Sequence, residues 1–154
     1  MAEKYHDYSI TTTWTGNQGT GTSNYRSYGR DHEIDGEAKT ERIVGSADPA
    51  FRGDAKRYNP EELLVASISA CHMLWFLHFS AEAGVAVTSY TDSATGTMRI
   101  NPDGSGEFTE VVLHPRIESS PAVAHEVLLG LHERAHAYCF IARSVRFPVR
   151  CEIV

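Results

Sequence analysis

The residues of this chain with the types for chemistry are three thiols and one short cluster of histidines. Cys71 lies in the middle of SISACHMLWFLHFS, a run that is almost wholly apolar. A lone cysteine in such a run is ordinarily a small core residue. Cys139 stands in AHAYCFIARS, where a helical pattern runs out and side chains are commonly exposed to do chemistry. Cys151 falls on the apolar parity of a terminal alternating run, Val145 to Ile153, and reads as a buried side chain. The fourth candidate is His132-Glu133-Arg134-Ala135-His136, a literal HExxH. Two histidines one helical turn apart can hold zinc while the glutamate acts as base. His125 lies a heptad further back, but no third ligand is evident in the sequence. The motif therefore reads as solvated side chains near a helix C-terminus, where cations suit the dipole. His6, His32, His78 and His114 are scattered and suggest no site.

The elements that must position these groups follow from periodicity and stop signals. Asn59 to Gly84 predicts one long helix. Pro60 suits the first helical position, Asn59 caps it, and Glu62 completes a capping box. Gly84 suits the left-handed C-terminal cap. With Leu63, Leu64, Val65, Ile68, Met73, Leu74, Trp75, Phe76, Leu77 and Phe79 on it, the helix lacks a polar face and is predicted to be buried. Before it, alternation over Tyr8 to Trp14 predicts a strand, Thr20 to Arg30 a second, and Asp35-Gly36 a turn between extended runs around Ile34 and Ile43. Gly45 to Tyr58 is a loop. After it, Val85 and Val87 open a strand, NPDGSG (101–106) turns a hairpin of Ala94–Ile100 with Phe108–Ile117, and Pro121 opens a second helix. The predicted class is α+β, in the order β-β-β-α-β-β-α-β.

The bulk properties bound the function. A length of 154 residues suits a single domain over 1–154, and 42% hydrophobic with 22% charged residues is a globular composition. Fourteen Lys and Arg against twenty Asp and Glu leave a charge of −6, which argues against a nucleic-acid surface. MAEKYHDYS carries no apolar signal region, and Leu63 to Phe79 is interrupted by serines and histidines and falls short of a bilayer span, so no membrane association is expected. A cytoplasmic location follows as an expectation, with thiols that rest reduced and are reactive or buried.

One stretch changes the standing of Cys71. Asn59-Pro60-Glu61-Glu62-Leu63-Leu64, followed by Ser69-Ala70-Cys71 ten residues after Glu61, resembles the signature of the OsmC/Ohr family of small dithiol hydroperoxide reductases. Cys139 matches the family's second cysteine near the end of the second helix, and the element order is similar to the family fold. The resemblance implies a catalytic set of Cys71, Cys139, Glu61 and Arg52. The Cys71 thiolate would attack an organic hydroperoxide, release an alcohol and become a sulfenic acid, which Cys139 would convert to a disulfide. An external dithiol, as on a lipoyl-bearing protein, would then reduce that disulfide. No cofactor is implied. An apolar site raises a thiol's pKa, so a cation is needed, and the family supplies an arginine held by the glutamate of NPE. Arg52 lies where OsmC-type members carry it, while Arg30 and Arg26 lie near the Ohr-type position. The sequence departs from the family in the bulk of His72-Met73-Leu74-Trp75-Phe76 and in Phe140-Ile141 after Cys139, residues expected to shape the pocket.

The spacing raises a difficulty. On one straight helix Glu61 and Cys71 are ~15 Å apart along the axis and ~80° apart around it. Either the helix begins after Glu61, or Glu61 and the arginine serve the Cys71 of a second copy. The second choice predicts an intertwined homodimer that covers the apolar helix. His72 points ~100° away from Cys71 and is a poor base for it. Two rival readings remain: a thiol-bearing stress protein that binds an apolar ligand without turnover, and a zinc hydrolase through His132, Glu133 and His136.

Overall fold

The computed structural model describes residues 3–154, which divide into two compact units, one ending at Leu63 and one over Leu64–Val154. The first unit holds an antiparallel sheet of β1 (Thr11–Trp14), β2 (His32–Asp35) and β3 (Ile43–Gly45), in that order. Three strands precede the long helix, as expected, but the predicted strand over Thr20 to Arg30 is a chain of turns. Its polar side chains bond locally and not across a ladder. The Asn17 carboxamide accepts from the amides of Gly19 and Gly21, and the Ser27 hydroxyl donates to the Asn24 carbonyl. A short 3-10 turn, Pro49–Phe51, lies in the loop before the helix, capped by the Asp48 carboxylate.

Helix α1 (Pro60–Glu82) has the ends its sequence predicts. Asn59 Oδ1 accepts from the Glu62 amide at 2.8 Å, and a Glu62 carboxylate oxygen accepts from the Asn59 amide at 3.0 Å. Gly84 follows the helix at φ +71°, a conformation open to glycine.

In the second unit β4 (Val87–Asp92) pairs with β7 (Pro115–Ser119), and β5 (Thr95–Ile100) pairs with β6 (Gly106–Leu113). β8 (Val149–Cys151) joins β6 in parallel. Four strands therefore stand between the long helices, where three extended runs were expected and the predicted order counted two. The single apolar run Phe108 to Ile117 is split between two sheets at His114, whose amide donates to Asp92 Oδ1 at 2.7 Å. The other Asp92 oxygen accepts from the Ser69 hydroxyl of α1. Helix α2 (His125–Tyr138) starts four residues later than Pro121, and a short α3 (Phe140–Arg143) follows it.

Two apolar clusters form the core of this unit. Ile68 of α1 packs with Val111 and Leu113 of β6, and Phe108, Phe147 and Val149 surround them. Further along α1, Phe76 and Phe79 pack with Leu131 and Ala135 of α2, against Tyr90 and Ile117. The expectation that α1 is buried all round does not hold in the single chain. Ile68, His72, Phe76, Phe79 and Ser80 are buried, while Ala66, Ala70, Leu74 and His78 lie along an open face, with Leu74 62% exposed. By length and composition alone α1 could cross a membrane. Its two core clusters make it the packing helix of this unit.

Candidate active site

The second unit brings two of the candidate residues together. Cys71 projects from the middle of α1, and Cys139 sits in the joint between α2 and α3. The thiols are neighbours and both are free. Cys139 is fully buried, and its sulfur lies 4.0 Å from the Ile68 carbonyl, one turn of α1 before Cys71. It accepts from the Ala142 amide at 3.5 Å and so caps α3. Burial pushes the Cys139 thiol up to about 11, although the Ala142 amide draws it down, and the Cys71 thiol beside it adds to the rise. Cys139 is therefore a protonated thiol at neutral pH, able to give up a proton when its sulfur forms a bond. Cys71 is half-buried, the more open of the two.

Bulky residues flagged by the sequence stand around this joint. Trp75, one turn after Cys71 on the same helical face, meets Phe140 edge-on at 5.4 Å and Tyr138 at 5.3 Å. Phe140 is 63% exposed. The wall beside the thiols is aromatic and partly open.

The first unit contains the other candidates. α1 begins at Pro60, so Glu61 belongs to its first turn and the alternative of a helix starting after Glu61 is removed. Glu61 Oε2 is buried without a hydrogen-bond partner among the described residues. A cleft of about 280 Å3 is lined by Arg30, His32, Ser46, Asp48, Phe51 and Glu61. Arg30 shares that cleft with Glu61, whereas Arg52 does not line it. The Arg30 guanidinium donates to the Tyr25 and Tyr28 carbonyls and stacks over both rings, at 4.5 and 4.0 Å from their centres. Arg52 is exposed in the left-handed conformation after the 3-10 turn, at φ +67°. Arg26 is exposed. Among the described residues, none of the three arginines forms an ion pair with Glu61.

The HExxH motif does not gather. His132 is buried at 4% exposure, while Glu133 and His136 face outward. The expectation of a solvated pair is corrected for His132, because α2 turns it inward beside Leu131 and Ala135. Its partner is His72 of α1, also buried at 1%, with Nε2 of His72 2.8 Å from Nδ1 of His132 and the rings parallel. Burial drives the His72 imidazole down to about 4; His136 lowers it further and Asp92 opposes. Burial, then His72, takes His132 down to about 3. Cys151 lies 3.6 Å from His132 Nδ1 and 3.9 Å from His72 Nε2, and burial first, then Asp92 and Glu152, pushes its thiol up to about 11. Sequence reasoning missed this cluster. Its signal was a histidine on the apolar stripe Ile68, His72, Phe76, where a buried polar group calls for a partner.

The family model for OsmC-like protein matches residues 53–154. An OsmC-like protein of unknown function from Vibrio cholerae is 33% identical, at a TM-score of 0.88 over 97% of this chain and 100% of that one. An OsmC-like protein from Mycoplasma pneumoniae is 17% identical, at 0.74 over 97% and 96%. An organic hydroperoxide resistance protein from Elizabethkingia anophelis is 21% identical, at 0.69 over 97% and 96%. No curated protein matches the chain. A helix opened by an asparagine-capped NPE turn, two free thiols brought together from α1 and the α2–α3 joint, and these matches agree: the chain belongs to the OsmC-like family.

Proposed function

We propose that this chain is a thiol-dependent peroxidase that reduces organic hydroperoxides to alcohols. The observation that carries the reading is the neighbouring placement of a half-buried Cys71 and a fully buried Cys139, both free thiols. In the first step the Cys71 thiolate attacks the distal peroxide oxygen. The O–O bond breaks, the alkoxide takes a proton and leaves as an alcohol, and Cys71 becomes a sulfenic acid. Cys139 then attacks that sulfur, hydroxide leaves with the Cys139 proton as water, and the Cys71–Cys139 disulfide forms. An external dithiol returns both cysteines to thiols by two exchanges and is itself oxidised to a disulfide. The aromatic wall of Trp75, Tyr138 and Phe140 favours a peroxide with an apolar tail over hydrogen peroxide.

The same reading makes the working unit a homodimer. No apolar side chain of residues 3–63 is buried in the single chain, and a three-stranded sheet without a covered face lacks the burial that stability requires. The open stripe Ala66, Ala70, Leu74 of α1 suits close approach of a second copy. In that dimer Glu61 orients an arginine toward the partner's thiol, and Arg30 is the better candidate because it lines the Glu61 cleft.

The test is turnover of cumene hydroperoxide with dithiol reductants. Wild-type protein consumes the peroxide, Cys71→Ser does not, and Cys139→Ser accumulates a sulfenic acid at Cys71 that a dimedone probe traps. Mass mapping of oxidised wild-type protein finds the Cys71–Cys139 bridge. An active Cys71→Ser variant overturns the reading and leaves the apolar-ligand binding module in its place.

A further inference from the structure

Outside the thiol pair, the second unit holds a cluster that the proposed peroxidase does not use. His72 comes from α1, His132 from α2 and Cys151 from β8, and their donor atoms all lie within 4.8 Å of one another. Both imidazoles are more than nine-tenths buried. We propose that His72 Nε2, His132 Nδ1 and Cys151 Sγ form a binding site for one zinc ion, separate from the reactive thiols.

The geometry is close to what zinc requires. Tetrahedral bonds of ~2.3 Å to sulfur and ~2.05 Å to nitrogen place sulfur ~3.5 Å from each nitrogen and the nitrogens ~3.3 Å apart. The sulfur distances here are 3.6 and 3.9 Å, and the nitrogens are 2.8 Å apart. A separation of ~0.5 Å between the two rings completes the fit. Two histidines and one thiolate leave the fourth position to water. The donor set is soft and neutral-rich, which suits zinc over magnesium or calcium.

Without an ion the three atoms meet only one another: one imidazole proton lies between the two ring nitrogens at 2.8 Å, and the thiol has only sulfur contacts of 3.6 and 3.9 Å. Zinc takes the lone pairs of both imidazoles and the thiolate at once, releases the thiol proton to solvent, and leaves the ring protons on His72 Nδ1 and His132 Nε2, buried atoms without a partner among the described residues. Tyr90, whose buried hydroxyl has no partner among the described residues, belongs to the same wall and stands 6.5 Å from the His132 ring, centre to centre.

The experiment uses full-length protein stripped with chelator and titrated with Zn2+ by calorimetry, and with Co2+ by absorption. One ion per chain is expected, with a thiolate-to-cobalt charge-transfer band. Cys151→Ser abolishes that band, and Cys151→Ser and His72→Gln each weaken zinc binding by at least ~10-fold, since even outer-shell changes reach that size. The Cys71→Ser/Cys139→Ser double variant and His136→Ala bind zinc as wild type. Because Cys151→Ser is a one-atom change, it remains decisive if His72→Gln fails to fold. Three results would each overturn the proposal: no stoichiometric ion, unaltered binding by Cys151→Ser, or binding lost with His136→Ala. An imidazole N–H hydrogen bond between His72 and His132 that persists in nitrogen NMR under saturating Zn2+ would do the same.

Discussion

Acidification should unfold metal-free protein through the buried histidine pair, and the size of the effect follows from the site. A histidine whose folded pKa lies below its unfolded value of 6.5 is neutral in the fold and protonated in the open chain. Its contribution is fully present above pH 6.5 and is lost as pH falls toward the folded pKa. With His72 lowered to about 4 and His132 to about 3, moving from pH 8 to pH 4.5 removes on the order of 2–3 kcal/mol for each imidazole. Together they approach ~5 kcal/mol, the lower end of a typical domain's whole stability. The assay is urea unfolding in chelator at pH 8, 6 and 4.5, for wild type and for His72→Leu/His132→Leu. Carboxylates titrate in both proteins, so the difference in slope isolates the pair. Parallel pH profiles would refute the reasoning, as would an imidazole that titrates near 6.5 in the folded protein by NMR.

Other outcomes follow from named contacts. Asn59→Ala removes the acceptor of the Glu62 amide and should lower stability by ~1 kcal/mol in denaturant unfolding. Phe76→Ala empties a fully buried position in the α1–α2 cluster and should cost ~3–5 kcal/mol, read as a lowered urea midpoint at unchanged slope. Leu74→Arg sets a charge on the open face of α1 and should turn a dimer into monomers in sedimentation; an intact dimer places the interface elsewhere. Arg30→Ala should slow the reaction of Cys71 with peroxide by ~10-fold or more, an increment of ~1.4 kcal/mol, while Arg52→Ala leaves it near wild type. The reverse ranking would return the role to Arg52.

The sequence was most legible where local rules act alone. The capping box of Asn59 and Glu62 and the positive φ of Gly84 stand where their residue types require. The thiol pair was legible through a motif, because Cys71 and Cys139 sit at fixed places on helices whose ends could be read. What escaped was tertiary. Nothing local in Phe108 to Ile117 states that the chain changes sheets at His114; that depends on Asp92, twenty-two residues away, taking the His114 amide. The inward turn of His132 escaped for the same reason. HExxH advertises a pair along one helix, but its first member faces α1 and its second faces solvent. The ranking of Arg52 and Arg30 is left to the kinetics above, because the sequence offers only a position along a loop and the cleft beside Glu61 depends on how that loop folds.

The parallel pairing of β8 with β6 bears on how the protein emerges during synthesis. β8 follows every other named element, yet it forms one side of the three-stranded sheet and, with Phe147 just before it, places Val149 around the cluster that holds Ile68. Its partner strand is separated from it by β7 and two helices, so this contact closes a long loop and comes late. Until Val149–Cys151 has left the ribosome, the apolar side of α1 has no complete seat. From the synthesis of α1 until β8 follows it, the nascent chain therefore carries a sticky, half-covered helix, the stage at which a holding chaperone would be of most use.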